Sequence, residues 1–249
     1  MNVQVLPTEA EATKVAVDWL TARLAVPGTG NVTLAGGNSP LGLYAEMARR
    51  QLPLSHLTVF ALDEYVGVPS EEPRNCANLI RRTAIEPLGI LPAQYHVLSS
   101  LEADAENSIR QHETKIRAAG GLDVAILGLG RNAHIGFNEP GSAADSAGRM
   151  LRLTPTSIEA NREWFGGDYA PDKGVTTGMK TLLAAKSVLL LAFGAAKATA
   201  VAAMMKGPQT PDCPASFLRS HPDTHIFLDQ AAADQLKVAG TLRVPSARK

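Results

Sequence analysis

Cysteine is nearly absent: Cys76 and Cys213 are the only two in 249 residues, and neither belongs to a CxxC pair. The chain therefore lacks the material for a disulfide framework or a cysteine-rich metal site. Long apolar runs are missing as well. Even Val188–Phe193, which no run exceeds, falls far short of the ~18 residues a membrane span needs. The first residues, MNVQVLPTEAEATK, show no basic region leading into an apolar core, so no secretory leader is expected. There is no excess of either charge, with 24 Lys+Arg against 24 Asp+Glu. Such a balance gives no general attraction for a polyanion, which argues against nucleic-acid or membrane-surface partners. What is present is a globular composition, 45% hydrophobic and 19% charged, without repeats, low-complexity segments or an obvious linker. At ~150 residues per domain the length suits one large domain spanning 1–249. The expectation is a cytoplasmic globular protein acting on a small molecule; a homo-oligomer is compatible with this composition.

Short apolar strands alternate with helical patterns. Thr8-Glu9-Ala10-Glu11 has the form of a capping box, and Val15, Trp19, Leu20 and Leu24 follow at helical spacing. Strands are predicted at Asn31–Ala35, Leu57–Leu62, Leu122–Leu127, Lys186–Phe193 and His225–Leu228. Helices are predicted after Gly36-Gly37-Asn38-Ser39-Pro40, around Ala77–Ile85, from Leu101 to Ala119 ahead of Gly120-Gly121, and after Lys197. The strands are continuously apolar, as burial on both faces of a parallel sheet requires. This pattern predicts a three-layer, Rossmann-like, doubly wound α/β fold with a mainly parallel sheet and helices on both faces.

Each unusual polar cluster follows a strand, where open parallel sheets place their ligand crevice. In Gly36-Gly37-Asn38-Ser39-Pro40 the glycines admit close approach of an anion, Ser39 adds a hydroxyl, and a helix N-terminus adds unpaired N–H groups. A plain strand-to-helix turn would use the same residues. Lys197 could meet an anion from the other side, or simply be solvated. In Asp63-Glu64-Tyr65 consecutive carboxylates point apart, so at most one faces the crevice, and a partly buried Asp63 could serve as a general base. The stretch Gly128–Gly141, GLGRNAHIGFNEPG, places His134 five residues before Glu139 and two after Asn132, which suits a histidine set between an orienting acceptor and a carboxylate. His56, His96, His112, His221 and His225 have no such surroundings, and no two histidines combine zinc-ligand spacing with a matching acid, so the sequence gives metal catalysis no support.

At these residues the chain resembles the glucosamine-6-phosphate deaminase family, within a wider group that includes 6-phosphogluconolactonase. LAGGNSPLGLY is similar to its phosphate loop, FALDEYVG to its Asp-Glu-Tyr segment and LGLGRNAHIGFNEPGS to its signature; VTTGMKTLL and FGAAKA match further blocks. The NEPG ending favours the deaminases over the lactonases. The resemblance implies conversion of an amino-sugar phosphate to a ketose phosphate and ammonia, without metal or organic cofactor. It implies Asp63 as the base moving a proton between C2 and C1, and His134, assisted by Glu139, as the group that opens the pyranose ring. The phosphate would be held by the Gly36 turn (Gly37, Asn38 and Ser39) and by Lys197.

There are departures from that pattern. The family's Asp-Gly-His is Asn132-Ala133-His134 here. Asn132 can accept a hydrogen bond from the imidazole but cannot stabilise an imidazolium by charge, a role that then passes to Glu139. Ala133 narrows the backbone conformations available. Arg162, in EANREWFGG, is the approximate counterpart of a phosphate-binding arginine, and residues 161–171, with exposed-looking Trp164 and Phe165, have the composition of a lid. The departures also resemble a galactosamine-6-phosphate subgroup. Two other functions fit the same fold: a 6-phosphogluconolactonase-like hydrolase, which needs His134 but not Asp63 as a C–H base, and a non-catalytic sugar-phosphate sensor.

Overall fold

The computed structural model describes residues 1–236. Strand β1 (Asn2–Leu6) leads into α1 (Glu9–Leu24), whose N-cap Thr8 accepts from the Glu11 N–H as the capping pattern predicts. Then follow β2 (Asn31–Leu34), α2 (Asn38–Arg49), β3 (Thr58–Ala61), β4 (Asp63–Tyr65), α3 (Cys76–Ile80) and the two-residue β5 (Tyr95–His96). The middle of the chain holds α4 (Glu102–Ala118), β6 (Val124–Gly128), β7 (Arg149–Arg152), α5 (Pro155–Trp164), β8 (Lys173–Thr176) and α6 (Met179–Leu183). Strand β9 (Ser187–Ala192), helix α7 (Ala198–Lys206) and strand β10 (Thr224–Asp229) complete the set.

Seven strands form one sheet in the order β1-β10-β9-β6-β2-β3-β5, and every pairing in it is parallel. Alternate residues of each strand point to opposite faces. Val32, Val59, Val124, Ile126, Leu189 and Leu191 pack under α1 and α2, through Ala16, Leu20, Leu43 and Met47. Phe60, Ala125, Leu127, Val188 and Leu190 pack on the other face against Ile116 of α4, Met179 and Leu182 of α6, and Val201 and Met204 of α7. The chain is thus the three-layer, doubly wound α/β fold that its apolar strands predict. Among the described residues no helix is long and apolar enough to cross a membrane.

The strand order reverses between β2 and β6. From β2 the chain moves outward to β3 and β5 on one side; β6, β9 and β10 then build outward on the other. Loops leaving the carboxyl ends of β2 and β6 therefore diverge, and a crevice opens between them. A second sheet, antiparallel and ordered β4-β8-β7, stands beside that crevice, with Asp63 opposite Thr176.

Candidate active site

The segments after β2, β3, β6 and β9 all line one cavity of about 480 Å³, joined by residues of α5. It brings together Gly36, Gly37, Asn38, Ser39, Asp63, His134 and Lys197, which are up to 161 positions apart in the chain. Glu139 and Asn132 stand behind the wall and meet the cavity through His134 and Ser157, which line it.

The glycine turn is held from both ends. Tyr44, fully buried in α2, donates its hydroxyl to the Ala35 carbonyl at 2.9 Å. A Cβ on Gly36 would lie 2.7 Å from Cys76 Cβ, so only glycine lets α3 approach this turn. No side chain caps α2 at Gly37 and no acidic residue occupies its first turn. The Asn38 and Ser39 N–H groups are therefore open to an anion in the cavity.

Of the consecutive carboxylates, Asp63 faces the cavity and Glu64 points away. Both Glu64 oxygens accept backbone N–H groups, from Tyr65 at 2.7 Å, Cys76 at 3.1 Å and Ala77 at 2.9 Å, which ties β4 to the start of α3. Asp63 is 6% exposed and its Oδ1 has no hydrogen-bond partner. Burial, followed by the neighbouring Glu64 charge, pushes its carboxyl up to about 8; contacts with the Cys76 thiol and the Gly36 backbone pull it back only in part. The loop carrying His134 closes on it, since a Cβ at Gly136 would fall 3.4 Å from Asp63 Oδ2.

His134 sits in a tight turn in which the Gly130 N–H donates to its carbonyl at 3.0 Å. A Cβ at Gly130 would lie 2.5 Å from the imidazole ring, so the ring rests directly on that glycine. Imidazole Nδ1 is 3.4 Å from Glu139 Oε1 and 3.3 Å from Ser157 Oγ. Glu139 is 3% exposed; its Oε2 accepts from Asn132 Nδ2 at 2.6 Å and from the Thr154 hydroxyl at 2.9 Å. Burial works to raise the Glu139 pKa, but the contacts with His134, Ser157 and Asn132 outweigh it and leave the carboxyl below its ordinary range. Asn132 does not accept from the imidazole, contrary to expectation. Its Oδ1 takes the backbone N–H of His134 at 3.3 Å and its amide is spent on Glu139.

Lys197 ends the short turn after β9 and projects into the cavity. Burial, then the charge of Arg131, pushes its ammonium down to about 8. Arg162 is misplaced by the sequence reading: it does not line the cavity, and its guanidinium lies 3.9 Å from Glu159 on the outer side of α5. One residue of helical rotation, about 100°, brings Glu163 rather than Arg162 to the cavity. The arginine that lines it is Arg131, inside the signature loop. Phe165, expected to be exposed in the 161–171 segment, is fully buried against Tyr65, Tyr169 and the Arg74 guanidinium. The segment is pinned further by Asn161 Nδ2 donating to the Pro171 carbonyl at 3.0 Å.

Sequence reasoning also missed Thr154 and Ser157, which brace Glu139 and His134 from the start of α5. Their signal was there: Thr154-Pro155 is an N-cap followed by proline at the first helical position.

The family of glucosamine-6-phosphate isomerases and 6-phosphogluconolactonase matches residues 8–226. A glucosamine-6-phosphate deaminase from Cutibacterium acnes is 37% identical over 248 residues, covering 98% of this chain and 95% of the relative. Glucosamine-6-phosphate deaminase 2 of Bacillus subtilis is 37% identical over 213 residues, covering 83% and 86%. The solved structure of a monomeric glucosamine-6-phosphate deaminase superposes with a TM-score of 0.90 at 30% identity, covering 94% of this chain and all of that one. A 6-phosphogluconolactonase from Trypanosoma cruzi shares the fold, with a TM-score of 0.78 at 22% identity over 95% of this chain and 97% of its own.

Proposed function

The chain belongs to the family of glucosamine-6-phosphate isomerases and 6-phosphogluconolactonase, and from that premise we propose that it converts an amino-sugar 6-phosphate to the ketose 6-phosphate and ammonia. The observation that carries this reading is the meeting of Asp63, His134, the glycine turn and Lys197 in one cavity. A lactone hydrolase would have no use for a buried carboxyl aimed at the reacting carbons.

The phosphate docks on the Asn38 and Ser39 N–H groups, the Ser39 hydroxyl and the Lys197 ammonium, and anchoring that end fixes the distant carbons against the catalytic groups. His134 gives a proton to the ring oxygen as the pyranose opens. The imidazolium this requires is stabilised by Glu139, because Asn132 carries no charge. Asp63 then takes the C2 proton, leaving an enaminol, exchanges it with solvent in the open cavity and protonates C1. In the free cavity its carboxyl holds its proton near neutrality. The ammonium carried on C2 of the sugar supplies the opposite charge that favours the carboxylate, so the base forms when the amino sugar is bound. Protonation of the enaminol at C1 leaves an iminium at C2; water adds to that carbon and ammonia departs, giving the ketose.

The test is ammonia release from glucosamine-6-phosphate and galactosamine-6-phosphate, run beside hydrolysis of 6-phosphogluconolactone. Ammonia from one or both amino sugars is the expected result. Lactone hydrolysis with no ammonia from either would transfer the chain to the other branch of the family.

A further inference from the structure

Arg131 and Glu163 form a two-pronged bridge, Nη1 to Oε1 at 3.2 Å and Nη2 to Oε2 at 2.6 Å. The bridge joins the loop after β6 to the last turn of α5, and both residues line the cavity that holds Lys197 and the glycine turn. Among the described residues Arg131 is the one arginine lining it. Among the described residues no carboxylate pairs with Lys197 within 4.0 Å, whereas Arg131 is held by Glu163. Arg131 and Lys197 line the same volume, so one anion can meet both cations. A guanidinium fork fits two oxygens of a phosphoryl group as it fits those of a carboxylate.

We propose that Arg131 is a phosphate ligand which Glu163 occupies until substrate arrives: the phosphoryl group displaces the Glu163 carboxylate from the guanidinium fork and is held between Arg131, Lys197 and the Ser39 turn. The exchange is favourable on charge. The Arg131 and Glu163 side chains are 40% and 53% exposed, and exposed pairs of this kind are weak. A phosphoryl dianion gains two cations and several N–H donors at once. Once it is bound, Glu163 faces a like charge and must turn away, which moves the end of α5 where Trp164 lines the cavity. Phosphate recognition and the position of α5 are thereby one event.

The inference rests on the sugar-phosphate reading for the identity of the substrate, and its test uses inorganic phosphate alone. Titration calorimetry of the whole protein should show Glu163→Gln binding phosphate about threefold more tightly than the parent, because the competing anion is gone. Arg131→Gln should bind about tenfold more weakly, Arg131→Lys should fall between, and Arg162→Gln should match the parent. Arg131→Gln within about twofold of the parent, or weaker binding by Glu163→Gln, would overturn the proposal. If Arg131→Gln does not fold, Arg131→Lys and Glu163→Gln decide the matter. Ammonia release is scored separately: its absence with both amino sugars counts against the proposed reaction and leaves the phosphate result standing.

Discussion

The amide of Asn132 is directed at the Glu139 carboxylate, donating to Oε2 at 2.6 Å, while Glu139 Oε1 stands 3.4 Å from His134 Nδ1. Asparagine at this position therefore orients the carboxylate that serves the histidine. If Glu139 stabilises the imidazolium as proposed, Glu139→Gln should lower kcat about 100-fold. The same change in a relative with aspartate at the position of Asn132 should cost less, because a second carboxylate remains. Asn132→Ala takes away a donor that holds the Glu139 pKa low. The carboxyl then protonates at higher pH, and the acid limb of the kcat profile moves upward. A pH–rate profile of the two variants checks both statements.

Ala133 is buried with φ at +65°, the left-handed region that glycine occupies without cost. Holding alanine there costs about 1–2 kcal/mol. Ala133→Gly removes that strain but also a buried methyl group worth about 0.8 kcal/mol, so its unfolding free energy should stay within about 1 kcal/mol of the parent. Ala133→Val adds a β-branch to the same backbone and should cost about 2 kcal/mol or more. Denaturant titration distinguishes the two variants.

Gly130 lies under the imidazole. Gly130→Ala forces the ring of His134 off its seat, since the new Cβ would meet it at 2.5 Å. We expect kcat to fall about 100-fold with inorganic-phosphate affinity close to that of the parent.

Lys197 loses its charge as pH rises through about 8. Affinity for the phosphate dianion should therefore be full below that value and decline above it, the ligand's own protonation near neutrality being subtracted with a parallel titration of Lys197→Gln. Removing the Arg131 charge relieves part of the depression, so in Arg131→Gln, weaker overall, the decline should begin at higher pH. Calorimetry between pH 6 and pH 10 (a range of about four units around that pKa) follows the limb.

Five of the strands were legible because Val59–Leu62, Val124–Leu127, Val188–Phe193 and Ile226–Leu228 are apolar on both faces, and Val32-Thr33-Leu34 departs from this only at a β-branched threonine, as a buried parallel strand allows. Strand β1 escaped notice because it is an edge strand, partly exposed, with Asn2 and Gln4 interrupting it. The sheet of β4, β8 and β7 was invisible for a different reason. Segments such as DEY, KGVT and RMLR have no strand character of their own and become strands through pairing with each other. The meeting of the glycine turn, Asp63, His134 and Lys197 around one cavity, with Glu139 behind His134, was legible because each follows a recognisable strand end or sits in a polar, glycine-rich loop. That Arg162 points away from the cavity was not legible, because the boundaries and rotation of α5 are not written in its polar sequence. One step of rotation exchanges the cavity side for solvent.

The base assignment to Asp63 is tested most directly by running the reaction in deuterium oxide with the parent and Asp63→Asn, measuring ammonia and deuterium at C1 of the ketose product. The parent should release ammonia and place solvent deuterium at C1, while Asp63→Asn should lose about 1,000-fold in both and still bind inorganic phosphate. Ammonia release and deuterium incorporation undiminished in Asp63→Asn would contradict it.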